Sequence, residues 1–470
     1  MKKLYLILTL VSSLCFCCCQ DEDSDGPVAP GKLISRITAK VQTGNALRTD
    51  IRIDFKEPST YQIEYWKENE PETKRKTQEA EGEAEARTTL ILLEAETVYQ
   101  FRILARSGQR YTESDIYSFT TDRLPSGVPT YTLQQDDLKQ DLPGYIMLTR
   151  GDMQPGYITL INMEGKVVWY ENTRLGVKVA SFDTVTNTIY SIIGTDPDRA
   201  YNGQEILILD LFGNTLFHKD YTQLGKRYFH HDIRRLPDGK VVFVNYVPRP
   251  FDLTAQGGTA EETVFGDGLT VMDLNGKFTW EWDCFAEMNP QEDPHIMEDI
   301  FGIPLRSDWL HANCVSFDKN GDFYMSFNWL NEVWKINAKT GKVMYRLGGK
   351  GGNISIPQEG YTQGLHSLKI LDNNKILLFD NGIHTHTSRA LLFTVNETQK
   401  TATLDLNVSL PAEYSSPYMS SVEWIGPEML MFGSTFPKAI VFTDLQGNIS
   451  RIIKSMHQSF RADYIPAIHY

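Results

Sequence analysis

One turn, written six times, constrains this 470-residue chain more than anything else in it. The copies are Asn162-Met-Glu-Gly-Lys166, Asp210-Leu-Phe-Gly-Asn214, Asp273-Leu-Asn-Gly-Lys277, Asn337-Ala-Lys-Thr-Gly-Lys342, Asp444-Leu-Gln-Gly-Asn448 and a weaker one without Gly, Asn396-Glu-Thr-Gln-Lys400. In each, Asp or Asn opens a hairpin turn, and Gly, where present, takes the positive φ that closes it. An apolar β run such as Ile206-Leu-Ile-Leu209 precedes the turn, and an aromatic-bearing strand such as Phe278-Thr-Trp280 often follows. The copies recur about every 48 to 65 residues. Four strands per unit and six units predict an all-β, six-bladed β-propeller over residues 128–470. The longest insertions, at about 249–268 and 285–308, are expected to cover one face.

Three histidines stand in successive repeats: His231 in FHHDIRRLPDGK, His311 in DWLHANCVSFDKNGD and His366 in QGLHSLKILDNNK. Each precedes a strand-like run and has a turn former seven positions on, at Asp238, Asp318 and Asn373. Equivalent positions in repeated units lie at equivalent points in space, so in a propeller these imidazoles converge near the axis. The neighbouring repeats offer only small groups there, Ala180 or Ser181 and Ser420 or Ser421. Convergent histidines point to nucleophilic, acid/base or metal chemistry.

Residues 31–123 read as a small β-sandwich of alternating runs, among them Ile51-Arg-Ile-Asp-Phe55 and Val98-Tyr-Gln-Phe-Arg-Ile103. The segment LLEAETVYQFRILARSG resembles the fibronectin type III pattern, with Leu93 and Tyr99 at the places of a tyrosine corner. The charged stretch from Glu68 to Arg87 is expected to be an exposed hairpin or loop. Upstream, Lys2 and Lys3 precede an apolar run from Leu4 to Leu14, too short for a comfortable membrane span. Cys15, Cys17, Cys18 and Cys19 follow, then an acidic run through Asp25. This resembles a lipoprotein signal over residues 1–19, lipidated at Cys19, with residues 20–30 as a flexible acidic tether. It implies an outer-membrane lipoprotein, periplasm-facing or on the cell surface. The net charge of −14 argues against a nucleic-acid partner. Cys284 and Cys314, the other two cysteines, are able to pair in an oxidising compartment.

The segments GYITLINMEGKVVWY, HHDIRRLPDGKVVF, DWLHANCVSFDKNGDFYMS, VWKINAKTGKVMYRLGG and HSLKILDNNKILLFDNG are similar to the bacterial arylsulfate sulfotransferase family, over about residues 130–470. The resemblance implies transfer of a sulfuryl group from a phenolic sulfate ester to a phenolic acceptor, with no nucleotide sulfate donor and no cofactor. It implies a sulfated histidine at His366, assisted by His231, taken over its neighbour His230 for preceding Asp232, and by His311. The family's usual arginine falls on Asn328, within Ser326-Phe-Asn-Trp-Leu-Asn-Glu-Val333. Asparagine cannot match a guanidinium fork on sulfate oxygens. Arg389 is the candidate substitute, and Trp309 and Trp329 are candidates to hold the phenol ring. The alternatives are a three-histidine metal-dependent hydrolase, a sulfatase-like hydrolase, and a surface propeller that binds glycan or protein without catalysis. His384 and His386 form a second candidate metal pair, more in keeping with a solvated loop.

Overall fold

The computed structural model describes residues 33–138, 142–195, 202–300, 302–371 and 374–470. The lipoprotein segment, Cys19 included, and the turn residue Asn373 lie outside them. The described residues are all-β, relieved only by short 3-10 turns. No helix among them is long and apolar enough to cross a membrane.

The chain divides into two compact units. One runs up to Lys40, with Asp50–Thr88 and Gln100–Phe119; the other is Val41–Thr49, Thr89–Tyr99 and Thr120–Tyr470. The first carries most of two sheets, one built on Ile34–Gln42, Asn45–Phe55 and Glu85–Leu90, the other on Glu70–Lys76, Ser59–Lys67, Val98–Ser107 and Arg110–Glu113. Ile51, Ile53, Ile63, Phe101 and Ile103 are fully buried in it. Glu70–Lys76, expected as an exposed hairpin or loop, is an exposed strand paired with Ser59–Lys67.

In the second unit the hydroxyl of Tyr99 accepts the Glu94 N–H at 2.9 Å, and Leu93 is buried. From Tyr131 onward the described residues form six successive antiparallel sheets, four of their strands in chain order in all but one. The exception is the first. Its strands Tyr145–Arg150, Gly156–Asn162 and Val167–Thr173 take their fourth partner from Asp463–Ile465, which pairs with Tyr145–Met147. The first strands of neighbouring sheets pack against one another. Middle strands such as Glu205–Asp210 are covered on both sides, so they read as continuous apolar runs. Outermost strands such as Thr401–Ser409 alternate between buried and exposed.

The repeated turns form as their residues dictate. The side chains of Asn162, Asp210, Asp273 and Asp444 each accept two backbone N–H groups at 2.8–3.1 Å from the residues two and four positions on. Gly165, Gly213, Gly276 and Gly447 take φ of +80° to +88°. In the copy lacking Gly, Lys400 takes the left-handed conformation, at φ +53°. The insertions are local elaborations. Residues 249–268 mainly extend the hairpin Val241–Phe251/Glu262–Met272, and 285–308 form 3-10 turns with one short β pair. Cys284 and Cys314 are not paired: both are buried free thiols, and Cys314 instead donates to Asp232 at 3.2 Å.

Candidate functional site

The three histidines lie on consecutive sheets, at the start of the first strand of each. His231 is inside Phe229–Arg235, His311 immediately precedes Ala312–Phe317, and His366 is the second residue of Leu365–Leu371. They are not on one rung. Each strand carries an irregularity here, between His230 and Ile233, Ala312 and Cys314, and His366 and Leu368. A bulge turns a side chain out of the strict two-residue alternation. The backbone shows the cost: His231 and His311 sit at φ +57° and +54°, and Ser367, beside His366, at +52°. Strained conformations of this kind persist only where the surroundings over-determine them.

Two of the side chains meet, and Phe460 links the third to them. The rings of His231 and His311 are 4.8 Å apart, edge to face. Phe460 lies against both His231, at 5.8 Å, and His366, at 5.2 Å. His231 is 2% exposed and His366 5%, whereas the His311 side chain keeps 16%. Trp329, half-buried, tilts against His311 at 4.7 Å, and its indole N–H is fixed by the Asp308 carbonyl. A cavity of about 360 Å³ adjoins this cluster, with Phe460, Met419, Met153, Lys178 and Thr195 in its wall.

Each imidazole has a different proton. His366 Nδ1 lies 3.0 Å from the Ser420 carbonyl, which can only accept, so Nδ1 carries the hydrogen. Its Nε2, the lone-pair nitrogen, makes no hydrogen bond among the described residues. Burial pushes the His366 pKa down to about 3, against the pull of that carbonyl. Burial also drives His231 well below the ordinary imidazole range, helped by the charge of its histidine neighbours. His311 goes the other way. Burial disfavours its charge, but its Nδ1 is hydrogen-bonded to the Asp308 carboxylate, and that contact raises the pKa. The cluster therefore sets one imidazole that favours its second proton beside two that resist it.

Beneath the histidines the first strands are bound by buried charge. Asp232 accepts Arg461 at 2.8 Å, the Val315 N–H at 3.0 Å and Arg234 at 3.3 Å. Arg461 also reaches Asp463, and Lys369 bridges Asp463 to Glu423. Removing one member of such a network strands the others, so it acts as a strut.

Of the expected substrate contacts, Trp309 and Arg389 are elsewhere and Asn328 is engaged with backbone. Trp309 is 1% exposed, stacked on Phe285 and donating to Asp293 at 2.8 Å; it is core. Arg389 is held by Asp380 at 2.8 Å and by the carbonyls of Glu359 and Tyr361, at a separate surface recess. Asn328 donates to the Leu365 carbonyl at 2.8 Å, and its N–H donates to the His311 carbonyl at 2.9 Å. It ties the backbone of His311 to the strand bearing His366 and does not replace a guanidinium. Among the described residues no group of three His, Cys, Asp or Glu is placed to hold a metal ion. His384 and His386 are exposed.

Sequence reasoning missed Phe460, which no motif marks and which arrives from a distant segment. Asp308 is the partner of His311. Its signal was the three-residue spacing within Asp308-Trp-Leu-His311.

The arylsulfotransferase (ASST) family model matches residues 131–464. The chain belongs to that family. At family level it is an aryl sulfotransferase independent of a nucleotide sulfate donor, and the family implies an aryl sulfate donor and a phenolic acceptor. No curated protein matches the chain. Among solved structures, a protein of unknown function from Bacteroides caccae is 11% identical, covering 69% of this chain and 99% of its own, at TM-score 0.44. A protein of unknown function from Desulfotomaculum acetoxidans is 10% identical (78% and 96% covered, TM-score 0.40). A catalytically inactive virginiamycin B lyase from Staphylococcus aureus is 12% identical (68% and 88%, TM-score 0.35). Likenesses this distant carry no functional argument.

Proposed function

We propose that the six sheets are the blades of a six-bladed propeller, preceded by a fibronectin III-like sandwich. We further propose that its hub transfers sulfuryl groups between phenols by a ping-pong route through a sulfated His366. The observation that carries the reading is the Ser420 carbonyl on His366 Nδ1, which leaves the lone pair on Nε2, in a ring that Phe460 links to His231. A neutral imidazole is an adequate nucleophile, and a phenolate leaves readily from sulfate.

By analogy with phosphoryl transfer, the sulfuryl group passes in line through a loose transition state, stabilised by charge around its equatorial oxygens. His366 Nε2 attacks sulfur as the bond from sulfur to the phenolic oxygen breaks. His311, kept cationic by Asp308, supplies the positive charge that Asn328 cannot. His231 donates to the sulfuryl or departing oxygen and later takes the proton of the acceptor phenol. Trp329, tilted on His311, is the aromatic wall for the ring. The lipid anchor at Cys19 and an outer-membrane location remain part of the proposal, resting on the sequence of residues 1–25.

The test is to trap the intermediate. Incubation with 4-nitrophenyl sulfate and no acceptor is expected to release one equivalent of phenol and leave a sulfate adduct that mass spectrometry maps to His366. His366→Ala should abolish both. No release and no adduct from the unaltered chain would sink the reading in favour of a binding propeller. Adduct formation that ceases after chelation would restore the metal alternative.

A further inference from the structure

A second, deeper chain of titratable groups stands behind His231. His230 Nδ1 lies 2.8 Å from His231 Nδ1, the two rings edge to face at 5.0 Å. On the far side of the same ring, His230 Nε2 lies 3.4 Å from Asp267 Oδ1. His230 and Asp267 are fully buried. Neither carboxyl oxygen of Asp267, nor His230 Nε2, has a partner at full hydrogen-bonding geometry; the Leu310 and Ala312 backbone lies close enough to Asp267 to pull its pKa down, and the Asn245 and Ala312 backbone close enough to His230 to pull its pKa up. Buried polar atoms left unmatched are costly, and where they persist they call for a reason. Tyr246 holds the middle of the chain still, stacked on His230 at 3.9 Å with its hydroxyl donating to Asp308 at 3.1 Å.

We propose that Asp267 and His230 are positioning residues that form a proton relay to His231, resupplying its Nδ1 when its Nε2 gives up a proton to the leaving phenolate. The inference rests on the sulfuryl-transfer reading above. Only one hydrogen fits between two facing Nδ1 atoms. At rest it belongs to His230, so His231 carries its own hydrogen on Nε2, and His230 Nε2 is the lone pair that faces a protonated Asp267. When sulfur leaves the phenolic oxygen, His231 Nε2–H passes its proton to that oxygen. The His230 Nδ1 proton moves to His231 Nδ1, and the Asp267 proton moves to His230 Nε2. Asp267 is left as a carboxylate, His230 and His231 stay neutral, and one proton has left with the phenol. The acceptor phenol later gives its proton to His231 Nε2, and the same shifts run backwards.

The charges around the relay favour this resting state. Burial raises the Asp267 pKa to about 8, and the nearby Asp308 carboxylate adds to the effect while His311 opposes it. Burial holds His230 down to about 3. The other titratable group at Asp267 is the Cys284 thiol, itself pushed far up by burial. Two neighbouring carboxyls thus share the work, Asp308 ionised against His311 and Asp267 protonated.

Asp267→Asn separates the relay from mere packing. The amide can turn an N–H toward His230 Nε2 and keep His231 as a donor, but it has no proton to release. KM for aryl sulfates should therefore hold. Phenol release should fall about 100-fold or more with phenyl sulfate, and far less with 4-nitrophenyl sulfate, whose leaving group needs little protonation. An equal loss on both substrates, or no loss, from a folded variant overturns the relay. Histidine ¹⁵N spectra of the unaltered protein give a reading that depends on neither folding of the variant nor turnover. His231 is expected with its proton on Nε2, and a proton on Nδ1 overturns the proposal. Absence of phenol release by the unaltered chain would instead strike the parent reading.

Discussion

At the scale of single residues, three copies of one side chain sit in three different electrostatic settings. The differences come from the neighbours: a carbonyl for His366, a carboxylate for His311, burial among other imidazoles for His231. The signs fix a pH profile. Burial holds the His366 pKa near 3, so the ring stays neutral through ordinary acid conditions, as the proposed nucleophile must. His311, its pKa raised, holds its proton above the usual imidazole range and loses it as pH rises further. Donor kcat/KM is therefore expected to fall on the alkaline side. Asp308→Asn removes what raises His311 and leaves the burial that lowers it, so the alkaline limb should move to lower pH. A limb that stays in place shows that the His311 charge is not used.

At the scale of elements, the turns were the legible part and the bulges were not. Asp or Asn followed by Gly has a local cause, and every such copy forms the turn its residues favour. The one copy without Gly carries a measurable cost. A left-handed lysine costs roughly 1–2 kcal/mol, against the roughly 0.4–1 kcal/mol that glycine's unfolded-state freedom takes back. Lys400→Gly is thus expected to stabilise by about 0.5 kcal/mol and raise Tm slightly in calorimetry; a lower Tm would show that contacts of Lys400 offset its strain. The bulges at His231 and beside His366 depend on partner strands, so sequence spacing set the three histidines in one register that the strands do not keep. For the same reason Trp309 and Arg389 seemed available. Aromatic and cationic residues near a motif look alike in sequence, and only the stacking on Phe285 and the grip of Asp380 tell them apart from ligand contacts.

At the scale of the larger unit, Phe460, Arg461 and Asp463–Ile465 join things that are far apart in sequence. Phe460 touches two of the histidines, Arg461 braces the buried charge beneath them, and the strand completes the first sheet. Deleting residues 459–470 is expected to abolish the cooperative thermal transition by circular dichroism, because the buried Asp232 would lose its closer arginine and keep only Arg234 at 3.3 Å, and the first sheet would be left unpaired. A truncated chain that melts like the full one would refute that dependence. None of this was visible in a short tail with no repeat of its own. It also sets an order of events in time. Tyr145–Met147 is synthesised five sheets before the strand it must pair with, so its edge waits open through the making of everything between, and the hub cannot be finished piece by piece as the chain emerges.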